Sequence, residues 1–322
     1  MLSGADRLRG AVWGQFVGDA ACLGSHWIYD PAEIERRWPG GLSGLEAPAA
    51  GHYHARRRPG ELTHYGDAAL LLLESVVERR GFDAVDFGRR FVEALGAPEY
   101  PGYLDKAMKG TFARYWAFRD SAPDAPFDFQ QGADDFEPAT VSRLAPVVAA
   151  HSADEHFLRI VESATRVSQD NARAVAYALH HALALRELLR GRSIEEAFEV
   201  AGAALPPVPF SGEVRDRMAL ARSMVGVSGV TAATSELGQH CRLDQSVPSA
   251  AHCALTHRTD LRAAVLSAAR AGGDSAGRAA MIGAWLGAAL GIDAVPLEWR
   301  QRLAAHGRIH RLVERLIAIV RP

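Results

Sequence analysis

The chain has 322 residues, 48% of them hydrophobic and 23% charged, with a formal net charge of −2. That balance supplies a large core and excludes a disordered or collagen-like chain, and it offers no basic field of the kind that captures nucleic acid. Cys22, Cys241 and Cys253 are too few and too scattered for a disulfide framework. Lysine occurs only at Lys106 and Lys109, so arginine supplies nearly all of the 36 basic residues; with abundant alanine, this is the composition expected of a GC-rich bacterial genome. The opening MLSGADRLRGAVWG lacks the parts of a signal peptide. The most apolar stretch, Ala279 to Ile292, is shorter than the roughly 20 residues of a spanning helix. A cytoplasmic protein without membrane or nucleic-acid partners is expected.

In chain order, the 3.6-residue period predicts helices over Ala5–Leu23, Asp67–Arg80, Tyr103–Phe118, Asp154–Thr165, Ile194–Ala204, Arg258–Ala271 and Trp299–Val320. Between them, Phe87, Phe91 and Leu95 share a helical face, as do Tyr177, His181, Leu185 and Leu188. Pro31 fits a first helical turn, and Ser193 with Glu196 reads as a capping box. No series of alternating strands with tight hairpins is present. The expectation is an all-α, compact multi-helix bundle forming one domain over 1–322. Two irregular segments stand out. One runs from Pro39 to about Tyr65 and holds His52, His54 and the Arg56–Arg58 run; the other, Pro123 to Pro138, is rich in aspartate. Each is either a binding loop or a solvated connection.

Phosphate loops, nucleophile elbows, HExxH helices and CxxC pairs are all missing. The doublets His240–Cys241 and His252–Cys253 match no metal-ligand spacing and read as core cysteines beside satisfied histidines. Three segments remain. In Gly14-Gln15-Phe16-Val17-Gly18-Asp19, the carboxylate lies among apolar neighbours and needs a partner, while glycines four apart admit another backbone closely. Thr63-His64-Tyr65-Gly66-Asp67 enters an apolar helix at its N-terminus, which suits anions, although Thr63 or Asp67 could simply cap it. Gly272-Gly273-Asp274-Ser275-Ala276-Gly277-Arg278 opens a helix striped by Gly283, Gly287 and Gly291, a pattern that implies very close helix packing. Asp274 is there a rigid site candidate or an N-cap.

At these residues the chain resembles the ADP-ribosylglycohydrolase superfamily, which includes dinitrogenase-reductase-activating glycohydrolases and the jellyfish J1 crystallins. The resemblance runs nearly end to end, through Gly14 to Ala21, Ser142 to Pro146, Ala164 to Gln169 and Gly272 to Gly291. It implies the orthogonal all-α bundle of that superfamily. Metal-dependent members hold two Mg²⁺ or Mn²⁺ ions with Thr-Asp-Asp from the first loop and Asp-x-Asp-Thr before the last helix. Here those positions read Thr63-His64-Tyr65 and Asp274-Ser275-Ala276-Gly277, so only Thr63 and Asp274 remain as metal candidates. His64, Tyr65, Ala276 and Gly277 stand where other ligands would be. Two close divalent ions need several anionic oxygens, so no Mg²⁺ or Mn²⁺ is assigned. The variant pattern looks like the crystallin-J1-like branch.

The resemblance implies a hydrolase acting on an N- or O-glycosidic bond of an ADP-ribose-like or nucleoside-like substrate. Its partner would be a small nucleotide or nucleoside, or an ADP-ribosylated protein. Such chemistry needs a carboxylate for an oxocarbenium-like state and donors for the departing group. The expected catalytic residues are Asp67, Asp274 and His64. Asp19, Thr63, Tyr65, Gly273 and Arg278 are expected to bind substrate, with Arg278 placed for a phosphate. The alternatives are a non-catalytic binder of ADP-ribose or nucleotide and a crystallin-like structural protein.

Overall fold

A computed structural model describes residues 2–320. Sixteen α-helices follow in order: α1 Gly4–Ala21, α2 Pro31–Arg37, α3 His64–Arg79, α4 Ala84–Leu95, α5 Lys106–Ser121, α6 Ala145–His151, α7 Phe157–Arg166, α8 Ala172–Leu189, α9 Ile194–Ala204, α10 Ser211–Ser223, α11 Val230–Leu237, α12 Leu243–Thr256, α13 Leu261–Arg270, α14 Ser275–Leu290, α15 Leu297–Arg302 and α16 His306–Val320. Among the described residues there is no strand, only an isolated bridge between Ala133 and Gln169. The all-α bundle expected from the sequence is the observed fold. None of the described helices is long and apolar enough to cross a membrane.

The scaffold is organised around α1 and α14. A Cβ on Gly10 would fall inside the carbonyl of Gly287, one on Gly14 inside that of Gly283, and one on Gly18 inside that of Ala279. Bare backbone therefore meets bare backbone over three successive turns, which is what the four-residue glycine period demanded. Both helices are buried on nearly every side, as is α8 behind them. Helices apolar all round belong at the centre, and one contiguous core joins these three to the outer helices.

Most boundary differences come from caps. Asp105 accepts a hydrogen bond from Met108 N (2.7 Å) and Asp260 one from Ala263 N (2.9 Å), so α5 and α13 start just after them rather than at Tyr103 and Arg258. The segment Trp299–Val320 is two helices, because Ala304 N donates to Gly60 O (2.8 Å) and ties the break to the long loop after α2. Helix α12, which the sequence reading missed, contains Pro248. Proline leaves the carbonyl four residues earlier without its helical donor. Arg217 Nε fills that role, donating to Asp244 O at 2.7 Å.

Candidate functional site

The end of α1, the start of α3 and the turn before α14 meet at one end of the seam. Gly272 and Gly273 both adopt left-handed backbone (φ 73° and 65°), and a Cβ on Gly273 would strike Gln239 O. Gly273 N donates to Ile28 O, and Trp27 N donates to Gly273 O, both at 2.8 Å. Arg278, buried, aims its guanidinium at the carbonyls of Gly272, Gln239 and Ala268 and so braces this turn from inside. Asp274 occupies the N-cap position of α14 without capping it; both carboxylate oxygens are buried and make no hydrogen bond of ordinary geometry. Burial pushes its pKa up to about 7 against the pull of Arg278, with the Tyr65 hydroxyl and the Gly277 N–H close enough to favour the charged form slightly.

Asp19 finds its partner in Thr63. Its carboxylate accepts from Thr63 N (2.8 Å) and from the Thr63 hydroxyl, and burial still holds its pKa up at about 7. Thr63 also caps α3, accepting from Tyr65 N at 3.2 Å. His64 and Tyr65 are thus the first turn of the helix rather than part of the loop before it. Gly66 is required because a Cβ there would meet the Asp19 carboxylate. Asp67 points elsewhere, accepting from the Tyr100 hydroxyl (2.7 Å) and pairing with Arg57. Of the residues expected to do chemistry, Asp274 and His64 therefore share one neighbourhood, bridged by the His26 ring. Asp67 is committed to a separate ion pair.

Of the residues that surround this neighbourhood, sequence reasoning marked His54 and Glu137 only as members of two irregular segments and missed His26, Trp27 and Tyr103. The rings of His26, His54 and His64 lie 5.5 to 6.2 Å apart, and the Trp27 ring contacts all three at 4.1 to 5.5 Å. Trp27 holds a left-handed φ of 61°, a strained conformation for a bulky residue, and its Nε1 donates to Cys241 Sγ at 3.2 Å. On its outer side is a cleft of about 200 Å³ lined by Trp27, Tyr29, Tyr53, Tyr103, Lys106, Glu137 and Cys241. Glu137 pairs with Lys106 (3.2 Å), and burial, reinforced by Asp135, raises its pKa. Larger cavities of about 570 and 360 Å³ lie beside Arg217 and beside His180, and their linings hold none of the residues expected at a site. The signal available in the sequence was His26-Trp27 directly after α1 and the His52-Tyr53-His54 run, neither at helical spacing.

The two hard ions implied by the resemblance do not fit these residues. The Thr63 hydroxyl is occupied between Asp19 and the α3 amide. Imidazole and phenol stand at the next two positions, while Ala276 and Gly277 offer no side-chain oxygen. One carboxylate, Asp274, is left, which cannot offset two adjacent divalent charges.

A family model described as ADP-ribosylglycohydrolase matches residues 2–321. Crystallin J1B of Tripedalia cystophora is 27% identical over 308 residues, covering 92% of each chain. The human ADP-ribosylhydrolase ARH3 is 25% identical over 339 residues, covering 92% of this chain and 88% of its own. A solved structure titled ADP-ribosylglycohydrolase-related protein complex superposes with a TM-score of 0.72 at 24% identity, over 98% of this chain and 99% of that one, and supports the fold.

Proposed function

The chain belongs to the ADP-ribosylglycohydrolase family, and we propose that it hydrolyses an N- or O-glycosidic bond of an ADP-ribose-like or nucleoside-like substrate bound in the Trp27–Tyr103 cleft. The observation that carries this reading is a half-buried carboxylate, Glu137, held 3.2 Å from Lys106 on the wall of an aromatic cleft. At about 200 Å³ the cleft is smaller than the usual range for a whole small-molecule ligand, so it takes one ring, and the rest of the substrate lies across the surface. Glu137 accepts the proton of the attacking water, and the faces of Trp27 and Tyr103 favour positive charge developing on the sugar. Lys106 holds Glu137 and offers donors to the departing group. Asp274 and His64 support the floor from behind, Arg278 and Gly273 fix the turn, and Asp19, Thr63 and Tyr65 set the start of α3. Asp67 holds Arg57 and Tyr100 on the flank.

The loss of the hard-ion ligands favours a second reading, a binder of the same ligands without turnover. Turnover of an ADP-ribosylated model substrate separates the two. The hydrolase reading expects Glu137→Gln to lower kcat by about 10²-fold or more with little change in ligand affinity. Full activity in that variant would remove Glu137 from the mechanism, and absence of turnover in the parent chain would leave the binder.

A further inference from the structure

His26 lies in the turn after α1, His54 in the long loop after α2, and His64 opens α3, so three separate parts of the chain deliver an imidazole to one point. All three are buried, and one ring nitrogen from each lies within 4.8 Å of the other two. Five of their six ring nitrogens have no hydrogen-bond partner; the sixth, His26 Nδ1, receives Ala276 N–H at 3.2 Å. Buried polar groups are ordinarily satisfied, and each one left open costs about 1–3 kcal/mol. Three converging side chains that do not satisfy one another, and that meet the backbone through a single nitrogen, are an arrangement that packing alone does not explain.

We propose that His26, His54 and His64 form a binding site for one divalent transition-metal ion of the zinc or cobalt class. Three neutral nitrogens suit such ions and not Mg²⁺ or Ca²⁺, which take oxygen ligands. A metal takes the neutral imidazole, the form an unperturbed histidine already favours at neutral pH. Carboxylates stand behind two of the rings, Asp105 Oδ2 at 3.5 Å from His64 Nε2 and Asp274 Oδ1 at 3.6 Å from His26 Nδ1. Carboxylates in that position orient a ligating ring and fix its tautomer. Binding through the open Nε2 of His26 puts its proton on Nδ1, where Asp274 accepts it in place of the Ala276 contact. Bonds of about 2.0–2.1 Å at tetrahedral angles need nitrogens roughly 3.3 Å apart, so nitrogens that lie within 4.8 Å of one another close by up to about 1.5 Å. Three protein ligands leave a fourth position for water or a substrate atom, and Trp27, which lines the cleft, stacks on the His26 ring at 4.1 Å.

The inference does not depend on hydrolase activity, and its test reads metal directly. The full chain, stripped with a chelator and dialysed, is titrated with Co²⁺ and followed by visible absorption, then by competition with Zn²⁺. The expected result is one ion per chain with the intense bands of four-coordinate Co²⁺, and a melting temperature that rises with metal concentration. His54→Gln and His64→Gln should each weaken binding by about 100-fold or more. His310→Gln, which removes one member of the stacked surface pair His306–His310, should leave it unchanged. Absence of stoichiometric binding, a weak six-coordinate spectrum in the parent chain, or binding that survives both site variants and disappears with His310→Gln would overturn the proposal.

Discussion

Along the α1–α14 seam the contacts are made by missing side chains: Gly10, Gly14 and Gly18 each admit a carbonyl of the opposite helix, turn after turn. At the histidine end the reverse holds. Large rings from the turn after α1, the loop after α2, the start of α3 and the segment before α5 crowd together, with polar nitrogens left open. One region is specified by a repeat and tolerates no added atom; the other follows no repeat and holds more polar capacity than it uses. The first behaves as scaffold. The second has the unsatisfied chemistry expected where a ligand completes the structure.

The comparison is broken most severely at the seam. Gly14→Ala places a methyl group inside the Gly283 carbonyl, and neither helix backbone can yield without displacing the core. The expected loss is about 3 kcal/mol or more, at the upper end of overpacking effects. In thermal unfolding that is a fall of about 5 °C for a chain of this length; a change within a degree would mean that the seam is softer than it looks.

A smaller effect is expected where the two regions join, at Asp19. The folded chain retains this proton up to about pH 7, against an ordinary 3.8, so the carboxyl's contribution is whole below pH 4 and is lost as pH climbs to 7. Asn in its place does not titrate. Denaturant unfolding from pH 4 to 7.5 should therefore show the parent chain's advantage over Asp19→Asn shrinking by a few kcal/mol. An advantage that grows with pH would reverse the reading and make the ionised carboxylate the stabilising form.

The smallest effect sharpens the seam's distinctness. Gly202, inside α9, has open space where a Cβ would stand. Gly202→Ala should raise stability by about 1 kcal/mol through helix propensity alone. The same substitution then carries opposite signs at Gly14 and Gly202. Loss of stability at both would show that contact geometry does not govern the difference.

What the sequence made legible follows the same division. Glycine spacing on α1 and α14, the Ser193–Glu196 capping box and the apolar faces of α4 and α8 are local or periodic, and all can be read along one stretch of chain. Helix α12 was hidden because Pro248 ordinarily ends a helix, and the compensating Arg217 lies 27 residues from the Asp244 carbonyl it serves. At the site, Asp19, Thr63, His64 and Asp274 could be singled out because each stands beside glycine or opens a helix. His26, Trp27 and Tyr103 could not, because nothing in their own surroundings marks them, and His54 and Glu137 were visible only as members of two irregular segments. Their meaning comes from convergence in three dimensions, after the seam has fixed where the loops begin and end.

The central claim is that an aromatic cleft with a carboxylate wall works here without the pair of hard ions. Calorimetric titration of ADP-ribose into metal-stripped protein, repeated with excess Mg²⁺ and then with Trp27→Ala, tests it most directly. The account predicts saturable binding that Mg²⁺ does not strengthen and that Trp27→Ala abolishes. Binding that appears only with Mg²⁺, or that is indifferent to Trp27, would contradict it.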